Sequence, residues 1–265
     1  MTRLWTLEGT SAREVLVVSG HTAPVERVRF HPNQNDILCT AASDSSVRLW
    51  DVRSATQKNL GRIDVQSGSS ASDIEWCTAP GSRLLAVTER NGSVLVYDTR
   101  KLPHAGSATT LKSGSKTSSS VLTFPLKPSL VEACIFSPSG HHLVAATTSN
   151  GLGELTIWNW NDEKSDKFIY PAHTGSIYSL AFSPDGTRLA TGGSDALVGL
   201  RDVDSMVCTH TISRCAKFTH SVAFSHDSKM IARSYLLLLN KIARLVVIID
   251  PTLHAYTDLF GLYKK

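Results

Sequence analysis

A repeat of about 40–45 residues constrains this chain more than any other feature of its sequence. An aromatic residue followed by a turn sequence recurs as FHP at Phe30, WCTAPG at Trp76, FSPSG at Phe136, FSPDG at Phe182 and FSHDS at Phe224. Successive copies are separated by 46, 60, 46 and 42 residues. A unit of this size cannot bury its apolar face alone, so neighbouring units must pack against one another.

The copy between Gly20 and Asp51 is the most regular. Its segment VERVRF alternates apolar and polar residues, as a half-buried strand does. The following HPNQND predicts a turn, DILCTAAS a second strand, SDSS a tight turn and VRLWDV a third strand. The copy is therefore predicted to be an antiparallel meander.

The copy opens with Gly-His and closes with Trp-Asp, and it resembles a WD40 repeat in these pairs, in its period and in its predicted strands. The resemblance implies an all-β fold, the WD40 β-propeller, of which the chain covers about five to six blades. Residues 1–232 are predicted to form the propeller, with partial first and last blades. Residues 233–265 are predicted to be a divergent apolar tail.

Both ends depart from the repeat. Leu4-Trp5 occupies the place of Leu49-Trp50, so the chain is expected to begin within a blade. After Ala232 no tight turn or third strand follows in the expected pattern. The segment IARLVVIID in the tail could pair as a strand, but out-of-pattern sequence is the preferred interpretation. No window of the tail reaches the roughly 20 uninterrupted apolar residues of a membrane span.

Two irregularities are predicted inside the propeller. The long interval of 60 contains a Ser/Thr/Lys-rich run from Leu102 to Ser120, which predicts a flexible loop between blades rather than a domain linker. Its hydroxyl groups are a less favoured candidate for phosphorylation. A widened inner hairpin is expected around Asn150 to Gly153, and the NGLGEL glycines indicate a turn rather than a dinucleotide fingerprint.

Ser/Thr, His and Asp occur together in two blades, in a combination that also forms hydrolase triads. A catalytic site need occur only once, so the repetition favours a structural role. The WD40 resemblance implies that Asp binds His, His binds Thr, and Thr binds the Trp indole, in a buried network. The predicted network residues are His21, Thr40, Asp44 and Trp50 in one blade, and His173, Thr191 and Asp195 in the other, where Arg201 replaces Trp and leaves the network incomplete.

No motif indicates a cofactor, a metal or catalysis: the sequence lacks a phosphate-binding loop, a zinc-protease motif and zinc-spaced Cys/His pairs. His141 and His142 are predicted to be exposed loop residues rather than a metal pair. A net charge of +4 gives no reason to expect a polyanion footprint. A solvated rim is favoured over an RNA track for the basic residues Arg27, Arg29, Arg48 and Arg53.

Two segments resemble a particular family, the WD40 subunits of the THO complex, part of the TREX assembly. They are GHTAPVERVRFHPNQNDILCTAASDSSVRLWDVRSAT and SPDGTRLATGGSDALVGLRDVDSMVCTHTISR, the second followed by HSVAFSHDSKMIA. The resemblance spans about residues 15 to 232. It implies a seven-bladed, non-catalytic binding subunit in the nucleus, with other THO/TREX subunits as partners and indirect contact with mRNA-protein particles. It implies no cofactor, membrane or small-molecule substrate.

Other functions stay open. Repeat geometry alone fits an adaptor of another complex, such as a ubiquitin-ligase substrate receptor or a signalling scaffold. Direct RNA binding is less favoured because the charge is nearly balanced, and an enzyme is least favoured. The irregular ends also fit an inactive, truncated gene product.

Overall fold

The structure is a computed structural model. The residues it describes are 2–8, 11–53, 58–65, 70–90, 92–102, 111–112, 120–125, 130–159, 167–213, 217–237, 242–249 and 256–257. The chain divides into two compact units, Met1–Lys127 and Pro128–Lys265. Each unit is built from antiparallel sheets that follow one another along the chain. The predicted all-β fold of the β-propeller class is therefore confirmed.

The first unit contains three sheets. Strands β1 (Thr2–Glu8) and β2 (Ser11–Val18) form a two-stranded antiparallel sheet. The second sheet is an antiparallel meander of β3 (Val25–His31), β4 (Gln34–Ala42), β5 (Ser46–Asp51) and β6 (Lys58–Asp64). The third consists of β7 (Ala71–Trp76), β8 (Leu84–Glu89) and β9 (Ser93–Asp98), a 3₁₀ turn at Thr99–Lys101, and β11 (Ser120–Pro125), which pairs with β9. The short strand β10 (Leu111–Lys112) lies between the 3₁₀ turn and β11 in the sequence, and it pairs in parallel with β6 of the second sheet.

The second unit contains three four-stranded meanders. The first is formed by β12 (Leu130–Phe136), β13 (His142–Ser149), β14 (Leu152–Asn159) and β15 (Phe168–His173). The second is formed by β16 (Ile177–Phe182), β17 (Arg188–Gly193), β18 (Val198–Asp202) and β19 (Cys208–Ile212). The third is formed by β20 (Thr219–Phe224), β21 (Met230–Leu237), β22 (Ile242–Ile249) and β23 (Tyr256–Thr257).

Within each unit the apolar side chains of one sheet pack against the next sheet. In the first unit Ile63 of β6 and Ile74 of β7 are fully buried in one cluster. In the second unit Leu155 of β14, Ile177 of β16 and Leu189 of β17 share another. Alternation along the strands places these residues on buried faces. The packing of the repeats predicted from the sequence is thus present in both units.

The first strand of each four-stranded repeat carries a β-bulge at the same place. The register shifts across Glu26, Ser72, Glu132, Tyr178 and His220, which lie in β3, β7, β12, β16 and β20. A bulge adds one residue to a strand and increases its local twist. Because it recurs in five sheets, the bulge is a property of the repeat.

Two turns differ from the prediction. β4 begins at Gln34, so the predicted six-residue HPNQND turn contracts to Pro32 and Asn33, and His31 Nδ1 accepts a hydrogen bond from the Asn33 N–H at 3.1 Å. The widened hairpin expected around Asn150 to Gly153 is wrong. Ser149 pairs with Leu152, which leaves only Asn150 and Gly151 in the turn, both with positive φ. Asn-Gly is a preferred pair for a two-residue type I′ hairpin.

Strand pairing continues beyond Ala232, where the sequence repeat ends. β21 runs on to Leu237 and pairs with β22 along its whole length. The segment IARLVVIID, predicted only as a possible strand, supplies β22. The predicted flexible loop between Leu102 and Ser120 contains β10, and its residues 103–110 and 113–119 lie outside the described residues.

We expect two alanine substitutions in one hairpin to separate backbone strain from steric conflict. Gly151 has φ +81° and open space around an added Cβ, so Gly151→Ala costs about 1 kcal/mol of the free energy of unfolding. An added Cβ on Gly153 would collide with the backbone oxygen of Gly175, so Gly153→Ala costs about 3 kcal/mol. Urea unfolding of both variants measures the difference, and equal losses would contradict the close approach at Gly153.

Candidate functional site

Four side chains of the first complete repeat form a continuous chain of hydrogen bonds. Trp50 Nε1 lies 2.8 Å from Thr40 Oγ1, and Thr40 Oγ1 lies 2.7 Å from His21 Nε2. His21 Nδ1 lies 3.0 and 3.1 Å from the two carboxylate oxygens of Asp44. Trp50 and Thr40 come from β5 and β4, His21 from the segment before β3, and Asp44 from the turn between β4 and β5.

The chemistry of the two ends fixes the direction of the two outer bonds, and the protonation state of His21 decides the middle bond. An indole N–H can only donate and an ionised carboxylate can only accept. Trp50 therefore donates to Thr40, and His21 Nδ1–H donates to Asp44. With a neutral imidazole, whose proton is on Nδ1, the Thr40 hydroxyl donates to His21 Nε2. Burial lowers the pKa of His21 even though Asp44 acts in the opposite direction, which favours that neutral form.

Asp44 also closes the turn in which it lies. Its carboxylate accepts from the Thr22 backbone N–H at 3.0 Å, from the Ser46 hydroxyl at 2.7 Å and from the Ser46 backbone N–H at 3.2 Å. Burial alone would raise the pKa of Asp44, but the hydrogen bonds from Ser46, Thr22 and His21 together lower it to about 2. The ionised acceptor is therefore held in place by several donors.

Gly20 makes room for this network. It has φ +148°, and a Cβ at this position would lie 2.7 Å from a guanidinium nitrogen of Arg48 and 3.0 Å from the Trp50 ring. The rings of His21 and Trp50 meet edge to face, with centroids 6.3 Å apart. The Gly-His pair that opens the repeat thus has a steric explanation in addition to the hydrogen bonds of the histidine.

The second predicted set is brought together in the same way. His173 Nδ1 lies 2.9 and 3.0 Å from the Asp195 carboxylate oxygens, and His173 Nε2 lies 2.7 Å from Thr191 Oγ1. Asp195 also accepts from the backbone N–H groups of Thr174 and Leu197. The His–Thr–Asp part of the network therefore occurs in both repeats. In the second, the Thr191 hydroxyl also donates to the carbonyl oxygen of Gly199 at 3.3 Å.

Arg201, at the tryptophan position, takes a different role. It is 7% exposed, and its guanidinium donates to the carbonyl oxygen of Met206 at 2.8 Å and to that of Pro171 at 2.6 Å. Pro171 belongs to β15 of the preceding sheet, so Arg201 joins two sheets of the second unit. The sequence spacing indicated only a missing indole. It carried no signal for this link, because Pro171 lies 30 residues away.

Two other sheets have different residues at the threonine position. Thr40 lies two residues after Leu38, the partner of Trp50 in the ladder. In the β7–β9 sheet Leu85 pairs with Tyr97, and the residue two positions after Leu85 is Val87. In the β12–β15 sheet Leu143 pairs with Trp158, and the residue two positions after Leu143 is Ala145. Neither side chain has a hydroxyl group, so these sheets cannot build the same chain of hydrogen bonds.

The buried threonines cannot act as nucleophiles in this fold. Thr40 and Thr191 are both 0% exposed, and a catalytic hydroxyl must reach the substrate. The His and Asp side chains also use their polar atoms on fixed partners, and His173 of β15 reaches Thr191 of β17 in the next sheet. The arrangement satisfies buried polar groups and rigidifies the turn, which is a structural task.

The other sequence candidates lie apart from this network. Arg27 is half-buried and Arg29 is exposed, and both bind carboxylates of the neighbouring sheet, Arg27 to Asp73 at 3.3 Å and Arg29 to Glu75 at 3.1 Å. Both side chains remain partly solvated, and β3 and β7 bring opposite charges together across the sheet boundary. Arg53 is also exposed and binds Asp51 at 2.7 Å.

The remaining arginine and the paired histidines add no further site. Arg48 Nε lies 3.4 Å from the Ser46 hydroxyl. His141 and His142 are exposed, with His142 opening β13. In the part of the chain that the structure describes, no group of three or more His, Cys, Asp or Glu residues could hold a metal ion. Among the same residues, no helix has the length and apolar character needed to cross a membrane.

Comparisons with known proteins agree with this geometry. The family model described as "WD domain, G-beta repeat" matches residues 12–51 and 164–202, which include both His–Thr–Asp sets. The chain is 27% identical over 236 residues to THO complex subunit 3 of Arabidopsis thaliana, and the match covers 87% of this chain and 65% of that protein.

Other relatives have different names. WD repeat-containing protein AAC3 of Dictyostelium discoideum is 25% identical over 220 residues, covering 81% of this chain and 41% of that protein. Mitotic checkpoint protein bub-3 of Caenorhabditis elegans is 24% identical over 220 residues, covering 81% of this chain and 60% of that protein. The chain thus spans less than two thirds of the length of each of these relatives.

We predict that Asp44 contributes stability that disappears in acid. Its pKa falls from 3.8 to about 2 on folding, so the contribution is complete above pH 4 and is lost as the pH falls through 2. The shift corresponds to about 2 kcal/mol. Urea unfolding between pH 5 and 2 should show that the stability difference between wild type and Asp44→Asn shrinks by about that amount. Ser46→Ala removes one donor to Asp44, so the loss of stability in acid should occur at higher pH. A stability difference between wild type and Asp44→Asn that stays constant from pH 5 to 2 would contradict the prediction.

We predict that Arg201 stabilises the second unit through its two carbonyl partners. Arg201→Leu leaves the carbonyl oxygens of Met206 and Pro171 without this donor, which costs about 2 kcal/mol. Arg188→Leu is the matched control, since Arg188 is exposed on the neighbouring strand, and it should change the free energy of unfolding by less than about 0.5 kcal/mol. Equal effects of the two substitutions in urea unfolding would refute the role of Arg201.

Proposed function

This chain is a WD40-repeat protein, and from that premise we propose that it is a non-catalytic protein-interaction scaffold, the WD40 subunit of a THO complex. In this role it acts within the THO/TREX assembly in co-transcriptional mRNA processing and nuclear mRNA export. Its location is the nucleus and its direct partners are other THO/TREX subunits. It contacts mRNA-protein particles only through those partners.

The observation that carries the proposal is the similarity to the Arabidopsis THO complex subunit 3 over 87% of this chain. A segment that resembles the THO family, Ser194 to Arg214, supports it. Within this segment β19 exposes every residue from Cys208 to Thr211. Exposed side chains of an edge strand are not required by the core, so a resemblance there goes beyond what blade packing imposes.

The hydrogen-bonded geometry that the two repeats share supports the scaffold role. The hydrogen-bonded sets around Thr40 and Thr191 are buried and fully engaged, so they give the sheets rigidity and leave no reactive group for a substrate. WD40 domains mediate protein–protein interactions. Rigid sheets present their turns and outer strands in fixed positions, which reduces the entropy lost when a partner binds.

The electrostatics support indirect rather than direct contact with RNA. The net charge is only +4, and the guanidinium groups of Arg27 and Arg29 already bind Asp73 and Glu75. A protein that binds the RNA backbone needs free cations that release counterions from phosphates. These two arginines are committed to carboxylates, so they do not provide such a track.

A second candidate is an adaptor of another multiprotein complex. The similarity to mitotic checkpoint protein bub-3, at 24% identity over 81% of this chain, favours a role outside mRNA export. The same class would include a ubiquitin-ligase substrate receptor or a signalling scaffold, and all of them would use the same rigid sheets. An inactive, truncated gene product is the third candidate.

Affinity purification of the tagged chain from nuclear extract, followed by mass spectrometry, tests the THO role. We expect the remaining THO subunits to be recovered, and to be retained after RNase treatment because the contacts are between proteins. Recovery of a different assembly would refute the THO role and favour the second candidate. Chaperones alone, together with a broad thermal melt, would favour the inactive product. Loss of all THO subunits after RNase would contradict direct protein contact.

A further inference from the structure

A groove separates two neighbouring sheets of the second unit, β12–β15 and β16–β19. It has a volume of about 560 Å³, which lies within the range of about 300–1,000 Å³ that is typical of binding pockets. One wall comes from the turn between β12 and β13, including Pro138. The other comes from the end of β16 and the turn between β18 and β19, where Val203 and Asp204 lie.

The groove has an aromatic and apolar lining that is open to solvent. Tyr170 of β15 and Phe182 of β16 are half-buried, while Met206 is almost fully buried beneath them. Phe168 stands at the wall with 60% of its surface exposed. Aromatic and methionine side chains in a partly formed pocket are the residues that typically anchor protein partners.

Exposed apolar side chains also lie next to the groove residues along the chain. Val207, next to Met206, is 60% exposed. Ile169, next to Phe168, is 46% exposed but lies on the opposite face of β15, because successive strand residues alternate between faces. Phe168 is therefore the exposed apolar side chain at the groove. The outer edge of β15 lies beside it, because β15 is the last strand of its sheet and pairs only with β14 in the described part of the chain.

One carboxylate gives the groove its charge. Asp204 is exposed, and among the described residues its side chain forms no hydrogen bond or ion pair. Two nearby carboxylates differ from it in this respect, because Asp202 accepts from Ser205 at 2.6 Å and Asp185 accepts from Thr187 at 2.9 Å. Asp204 is therefore the lining carboxylate that is available to a cation brought by a partner.

We propose that this groove docks a short segment of a partner protein that carries a large apolar side chain beside an arginine or lysine. The inference rests on the scaffold function proposed above and names the surface and the chemistry it uses. The apolar side chain packs against Phe168, Tyr170 and Met206. The cationic group pairs with Asp204 at the rim, where the charge complementarity selects a basic rather than an acidic neighbour.

The shape of the groove favours a protein segment over a small molecule. Sites for small ligands enclose most of the ligand surface. Here the exposed ring of Phe168 forms an open side, and the polar groups of His142 and Ser139 also line the groove. A peptide chain can lie along such an open groove and place one side chain in it.

The test is selection of a phage-displayed library of random 12-residue peptides on the immobilised full chain. We expect enrichment of peptides with Arg or Lys within two residues of Leu, Met, Phe or Trp. A fluorescein-labelled synthetic copy of the most enriched peptide is then titrated with each variant by fluorescence anisotropy. Phe168→Ala should weaken its affinity about tenfold and Asp204→Asn about threefold. Asp204→Lys should remove the preference for basic peptides.

Phe218→Ala is the matched control. Phe218 is 59% exposed, almost the same as Phe168, but it does not line the groove. Its replacement should leave the peptide affinity unchanged within twofold. Thermal melts of all variants check that the exposed substitutions leave the fold intact.

Several results would overturn the proposal. They are the absence of enriched peptides, a preference for acidic peptides, or an affinity that Phe168→Ala and Asp204→Asn leave unchanged. Self-association of the chain that Phe168→Ala abolishes would assign the groove to a second copy instead. If the tagged wild-type chain recovers THO subunits but no peptide binds through the groove, the docking proposal is overturned and the THO role is retained. Groove-dependent peptides without THO recovery would overturn the THO role alone.

Discussion

The requirement that each sheet bury its apolar face against a neighbouring sheet underlies the rest of this structure. A single four-stranded meander exposes two faces, and a neighbouring meander in the same unit covers one of them. Ile63 and Ile74 meet in this way in the first unit, and Leu155 and Ile177 do so in the second. Polar groups drawn into such a boundary need partners, and the networks around Thr40 and Thr191 supply them to their own members.

The buried hydrogen bonds of the two matched repeats solve this problem in two different ways. In the first, the indole of Trp50 donates to Thr40, and the chain of bonds ends on the ionised carboxylate of Asp44. In the second, a guanidinium replaces the indole, and Arg201 turns to two backbone carbonyls instead. The donor at the tryptophan position therefore changes from a bond within its own sheet to a link with the preceding sheet, while the His–Thr–Asp part stays the same.

The same rigidity explains where a function can lie. The buried sets have no free reactive atom, so binding must use the turns, the outer strands and the grooves between sheets. The groove with Phe168 and Asp204 combines an open apolar wall with a carboxylate that no described residue engages. Such a surface is stable as a feature of the fold because the buried residues beneath it, such as Met206 and Leu189, hold its walls in place.

The sequence by itself determined the all-β class and the repeat, because these depend on local alternation and on spacing along the chain. The grouping of His21, Thr40 and Asp44 was predicted from the resemblance of the repeat to WD40. It misjudged the hairpin at Asn150, where an Asn-Gly pair makes the turn shorter than the flanking glycines suggested. Only the tertiary structure decided what Arg201 binds and which carboxylates engage Arg27 and Arg29. It also decided that a groove opens beside Phe168. These features join residues of neighbouring sheets, whose relative positions come from packing rather than from periodicity along the chain.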